Sequence, residues 1–138
     1  MRESPMQSPL PPLVSVVVPV YRAERFLDEA IASVRAQRYS EWELLLVDDG
    51  GDDGSAAIAK AHVARDPHRV RLLSHPNGEN RGASASRNLA IRHARGTYVA
   101  LLDADDVWLP EKLEAQVALM EANPDVGMLY GNSLYWYG

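Results

Sequence analysis

Thr97-Tyr98-Val99-Ala100-Leu101-Leu102-Asp103-Ala104-Asp105-Asp106 is the stretch on which the reading of this chain turns. Its first six residues have the β-branched, aromatic and apolar content of a buried strand. The run then ends abruptly in three carboxylates. A buried strand does not keep unpaired charge in its interior, so the acids belong where the strand emerges. Clustered carboxylates repel one another and favour a divalent cation, and oxygen-only ligands favour a hard one such as magnesium or manganese. On spacing alone, an acidic loop that caps the next helix is the competing reading.

Other strands precede this one. Val14-Ser15-Val16-Val17-Val18 is a β-branched run that Pro19 is expected to stop. Phe26, Leu27, Ala30, Ile31 and Val34 then recur at helical spacing. Trp42 to Val47 is a second apolar strand, ending at Asp48-Asp49-Gly50-Gly51. Ser55 to Arg65 reads as an alanine-rich helix, Val70 to Leu73 as a weaker strand, and Pro76 to Gly82 as a polar loop. A helix over Ala83 to Arg95 is closed by Gly96, taken here as a left-handed helix-ending residue. Pro110 suits the first turn of a helix running to Ala122, with Asn123-Pro124 as the stop, and Val126 to Tyr130 reads as a further strand.

Strand and helix alternating along a chain mean a mostly parallel sheet with helices on its faces. Short Val- and Leu-rich runs fit strands buried on both sides. Parallel strands place their C-terminal ends on one edge, and ligands bind there, near a reversal of strand order. Three strand ends carry distinctive residues: Pro19-Val20-Tyr21, Asp48-Asp49-Gly50 and the acidic run. The fold brings them together although they are remote in sequence.

Composition sets outer limits. The 138 residues allow one domain with a real core, and the 46% hydrophobic content is that of an ordinary globular protein. A net charge of -5 argues against a nucleic-acid partner held by phosphate contacts. The absence of cysteine excludes disulfides, thiolate zinc sites and a cysteine nucleophile. Met1 to Pro12 contains four prolines and no signal-peptide core, so residues 1–13 read as a disordered or extended leader. There is no dinucleotide Gly-x-Gly-x-x-Gly fingerprint and no phosphate loop. The four histidines, His62, His68, His75 and His93, show no metal-ligand spacing and read as surface or interhelix residues. Glu111, Lys112, Glu114 and Glu121 look like a solvated helix face, and Trp108 a packing residue.

Four segments in order resemble the successive signatures of family-2 glycosyltransferases: VSVVVPVY from Val14, LLVDDGGDDGS from Leu45, NRGASASRNLA from Asn80 and GTYVALLDADD from Gly96. The resemblance runs from Val14 to about Tyr130. It departs at Gly51, where the family usually has a serine. It implies an α/β, Rossmann-like GT-A fold, here truncated, with residues 14–138 forming the nucleotide-sugar-binding part. The implied reaction is inverting, metal-assisted transfer of a sugar from a nucleotide-diphosphate sugar to an acceptor hydroxyl, of the kind used in cell-envelope polysaccharide biosynthesis. UDP is the default nucleotide, the acceptor is open, and the cofactor is a divalent cation, Mn or Mg. The setting is the cytoplasm or the cytoplasmic membrane face.

Roles follow for single residues. Asp49 would accept a pyrimidine N–H, as its counterpart does in relatives, with a backbone-capping role for Asp48. Tyr21 would flank the base. Pro19 would shape the loop and offer its carbonyl, and Asp103 would contact the ribose or sugar. Asp105 is the chosen metal ligand, with Asp106 its rival. Arg81 and Arg87 would add positive charge near the diphosphate, and the loop before the third helix could form an anion-binding nest; a plain connection, with Arg87 as an ion-pair partner, is the alternative. The general base is expected beyond Gly138, so the chain is expected to bind nucleotide without transferring sugar, and its open edge to favour self-association. Two rivals stand beside this reading. One is a haloacid-dehalogenase-type phosphatase using Asp103 and Asp105; the other is a noncatalytic nucleotide-binding module.

Overall fold

The computed structural model describes residues 10–125. The strand expected at Val126 to Tyr130 and most of the proline-rich leader lie outside them. Four strands, β1 (Val14–Val20), β2 (Trp42–Asp48), β3 (Val70–Ser74) and β4 (Tyr98–Leu101), alternate with four helices, α1 (Leu27–Arg35), α2 (Ser55–Arg65), α3 (Ala83–His93) and α4 (Lys112–Ala122). The sheet is parallel in the order β3-β2-β1-β4. Its order reverses between β1 and β4, the position at which open α/β sheets bind ligands.

Strand periodicity sorts the core into two faces. Val14, Val16, Val18 and Val20 of β1, with Trp42, Leu44 and Leu46 of β2, pack against α1, Ala59 of α2, and Leu113 and Val117 of α4. Val17, Leu45 and Val47 point the other way, onto Ala90 of α3. Both central strands are therefore buried on two sides, as their near-continuous apolar runs require.

The same second face carries a buried ionic cluster. Glu43 is 5% exposed. It accepts the Ser15 hydroxyl at 2.6 Å, the Arg95 N–H at 2.7 Å and the Arg71 guanidinium at 3.1 Å. Arg71 also donates to the His93 carbonyl, at the last residue of α3. Glu43 thus ties β1, β2 and β3 to the segment that returns from α3 to β4. This explains why α3 ends at His93 rather than Arg95. Ala94 is already extended, and the Arg95 N–H is drawn to the carboxylate. Gly96 is not left-handed. Its role is close approach: a Cβ there would lie 2.7 Å from the Leu13 carbonyl and from the Ser15 amide.

Four further expectations need correction. Pro19 does not stop β1, which continues to Val20 and pairs with β2 through Asp48. The Val17 carbonyl accepts Leu102 N–H on the β4 side, so Pro19, two residues on, presents its N–H-less edge where β4 has ended. β4 is only half covered: Val99 and Leu101 are 41% and 51% exposed, because α3 packs over the other three strands. Lys112 is no part of a solvated face. It is 2% exposed, its ammonium sits 5.3 Å from the Trp108 ring centroid, and burial pushes its pKa down to about 8. Helix α4 also begins at Lys112, two residues after Pro110. Trp108 does pack in the core, as expected.

Burial acts to raise the Glu43 pKa, but the Ser15 hydroxyl, the Arg95 amide and Arg71 together hold it below the usual carboxylate range. Its stabilisation is therefore complete above the ordinary glutamate pKa and fades as pH falls through the depressed folded value. Glu43→Gln should cost about 3 kcal/mol near pH 7, with the deficit shrinking below about pH 4. Denaturant melts of both proteins across that range test this.

Candidate functional site

The β1 and β2 ends lie side by side: Val20 pairs with Asp48, and Asp49 N–H donates to the Val20 carbonyl at 2.8 Å. The loops that follow are stitched together. Ala23 N–H donates to Ser55 Oγ, Gly54 N–H to Glu24, and Glu24 N–H to Asp53. Asp53 also accepts the Ser55 N–H at the start of α2. Asp53 and Ser55 were assigned no role from the sequence; the structure makes them the seam between the first two strand ends.

Tyr21 is 44% exposed at the mouth of this seam. The Arg22 guanidinium lies 5.2 Å from its ring centroid and pairs loosely, at 3.8 Å, with the solvated Asp52. Gly51 is packed beneath the pair: a Cβ there would stand 3.2 Å from Arg22 N and 3.6 Å from the Tyr21 ring. Asp48 takes the Gly50 N–H at 3.0 Å, a backbone-capping role.

Asp49 turns inward. Its side chain is 4% exposed. Oδ1 accepts the Arg81 N–H at 2.8 Å, and Gly82 N–H lies 3.1 Å from Oδ2. Asn80 donates its side-chain amide to the Asp49 carbonyl. The backbone nest expected before α3 therefore exists, and the anion in it is the chain's own carboxylate. The Arg81 side chain points elsewhere, pairing with Glu79 at 3.1 Å. Gly50, at φ 83°, makes the approach possible: a Cβ would be 2.7 Å from Asn80 N and from the Gly78 carbonyl.

His75 is the residue that the sequence reading misplaced. It is 5% exposed, with Nε2 at 3.0 Å from Ser86 Oγ and 3.4 Å from Asp49 Oδ1. The signal was available. His75 directly follows β3, and a polar residue after a parallel strand falls on the ligand-binding edge.

The third strand end carries the acids. Asp103, Asp105 and Asp106 each present a carboxylate oxygen within 4.8 Å of the others. Asp103 is bridged to α3 by Arg87 at 3.1 Å, so Arg87 is an ion-pair partner, placed against the acid loop. Burial, and then the neighbouring charges of Asp105 and Asp103, push the Asp106 pKa up. That repulsion is what a divalent ion relieves, and three hard oxygen donors at this spacing suit magnesium or manganese. The loop is pinned at both ends. Leu102 N–H bonds the Val17 carbonyl, and the buried Gln37 amide bridges the Leu109 carbonyl and Leu113 N–H.

Gly50→Ala combines a left-handed φ with a backbone clash and should destabilise the fold by about 2–5 kcal/mol. Gly51→Ser meets only a tight contact and should cost less than about 1.5 kcal/mol. Urea unfolding of the two variants separates these outcomes.

The sequence model described as "Glycosyl transferase family 2" matches residues 15–133. Among curated relatives, the putative glycosyltransferase EpsE of Bacillus subtilis is 43% identical over 110 residues, which are 80% of this chain and 39% of that protein. The UDP-Glc:alpha-D-GlcNAc-diphosphoundecaprenol beta-1,3-glucosyltransferase WfgD of Escherichia coli is 38% identical, over 87% of this chain and 45% of its own length. The chain thus spans less than half of these relatives. Among solved structures, S. aureus TarS 1-349 in complex with UDP superposes with a TM-score of 0.71 at 27% identity, covering 80% of this chain and 32% of that one. The mannosyltransferase PcManGT from Pyrobaculum calidifontis, with GDP-Man and Mn2+, reaches 0.74 at 29% identity, over 86% and 34%. These likenesses set the phosphatase alternative aside. Strand order, acid loop and family match agree, and the chain belongs to glycosyltransferase family 2, with the GT-A fold.

Proposed function

We propose that this edge of the sheet binds a nucleotide-diphosphate sugar, with UDP as the nucleotide, and serves inverting transfer of the sugar to an acceptor hydroxyl. The observation that carries the reading is the acidic trio Asp103, Asp105 and Asp106, gathered beside the strand-order reversal at the end of β4. The UDP complex of TarS and the GDP-Man and Mn2+ complex of PcManGT support it. WfgD, named for a diphosphoundecaprenol-linked sugar acceptor, and the putative teichuronic acid biosynthesis glycosyltransferase TuaG of Bacillus subtilis support a cell-envelope polysaccharide as the product. The proposal places the reaction in the cytoplasm or at the cytoplasmic membrane face.

Each residue has a task on this reading. Tyr21 offers its half-exposed ring to the base, and the remaining acceptor capacity of Asp49 orients a pyrimidine N–H. The Pro19 carbonyl faces the gap beyond β4. Asp103, steadied by Arg87, meets the ribose or sugar, and Arg81 adds positive charge near the diphosphate by leaving Glu79, its exposed partner at 3.1 Å. Asp105 and Asp106 hold the divalent ion, Mn or Mg, which when bound offsets the charge that builds on the departing diphosphate. The acceptor's proton goes to a carboxylate base that none of the described residues is proposed to supply.

Calorimetry of the chain with UDP or GDP, with and without Mn2+, tests the assignment. Mn2+-dependent UDP binding is expected, weakened about tenfold or more in Asp105→Asn. No UDP binding at millimolar Mn2+, or full affinity in the variant, overturns it. The uncovered face of β4, with Val99 and Leu101, is also proposed to drive self-association. Sedimentation velocity should show mass rising with concentration, and a strict monomer counts against it.

A further inference from the structure

Burial singles out a group that the donor-site reading leaves unused. His75 sits behind the cleft, 5% exposed, with Asp49 and the fully buried Ser86 both against its Nε2 edge. A buried imidazole needs polar partners, and the identity of those partners decides which nitrogen bears the proton. Nε2 is the atom that faces both groups, at 3.4 Å from Asp49 Oδ1 and 3.0 Å from Ser86 Oγ. A bare Nε2 would aim its lone pair at a buried carboxylate oxygen. A protonated Nε2 instead donates to the Ser86 hydroxyl at 3.0 Å and turns a positive N–H edge, not a lone pair, toward the carboxylate 3.4 Å away. The Nε2–H tautomer is the one this geometry favours.

The loop tied to Asp49 gives that tautomer a consequence. The Arg81 and Gly82 amides hold the carboxylate from the α3 side, and His75 holds it from the β3 side. Ser86 completes the ring, because its own N–H bonds the Gly82 carbonyl. The amides bond the carboxylate on one side, and the His75 ring packed 3.4 Å away on the other keeps it from tilting.

We propose that His75 is a positioning residue: its Nε2–H fixes the Asp49 carboxylate and, through it, the 80–82 loop in the arrangement that nucleotide binding uses. The link to nucleotide rests on the donor-site reading above. The link to the loop does not, and the two are measured separately.

Three measurements on the full chain test it. In the wild-type protein without ligand, long-range nitrogen–proton NMR should report the Nε2–H tautomer of His75; the Nδ1–H form overturns the proposal. In His75→Leu, amide exchange at Arg81 and Gly82 should quicken about tenfold, and UDP affinity in Mn2+ should fall about tenfold with Mn2+ affinity unchanged. His75→Gln returns an N–H near the Nε2 position and should stay within about threefold of wild type in both. Unchanged exchange in His75→Leu, or equal losses in the two variants that track their melting temperatures, overturns the proposal. Should the wild type bind no UDP, the donor-site reading fails while the tautomer and exchange measurements still decide the role of His75. Should His75→Leu fail to fold, the wild-type tautomer and the behaviour of His75→Gln decide it.

Discussion

The Asp49 carboxylate, shut away from water between β2 and α3, is the constraint from which the cleft is built. A buried anion must be met by donors, and two of them are backbone amides of the loop that leads into α3. Satisfying the charge fixes where α3 begins, which in turn fixes Arg87 and, through it, the first acid of the β4 loop. The chain of dependence runs from one strand end to another by way of a helix. The pairing of Gly50 against the loop backbone is the steric side of the same contact, since a side chain there would lift the loop off the carboxylate.

A second polar knot works on the α3 face near the opposite ends of the strands. Glu43 gathers Ser15, Arg71 and Arg95, so that α3 is held near its C-terminus by Glu43 of β2 and near its start by Asp49, the residue after β2. The helix lies on a face whose apolar contacts are few, centred on Ala90. Its seat is set largely by charge and hydrogen bonding, while α1, α2 and α4 on the other face are seated by a continuous hydrophobic layer.

Much of this was legible in the residues. The valine and leucine runs announced parallel strands, since nothing else buries so much branched surface over so short a length. The acidic run announced the site, because three charges can follow an apolar strand only where it leaves the core. What stayed hidden depends on partners remote in sequence. Gly96 looks like a helix stop until β1 is found pressed against it. His75 looks like a surface residue until Asp49 and Ser86 are found together at its Nε2. Lys112 looks solvated until its ammonium is found buried over the Trp108 ring. Periodicity records which face a residue occupies; it does not record what stands opposite.

The acid loop is anchored at Leu102 and again at Leu109, and within it Asp106 N–H turns back to the Asp103 carbonyl. Three like charges are thus brought together by the folding of the chain itself, before any ion arrives. The ordering entropy and most of the mutual repulsion are borne at that stage, by the hydrophobic layer beneath. An incoming cation has little left to organise. It would meet a basket already shaped, held in place by the fold itself.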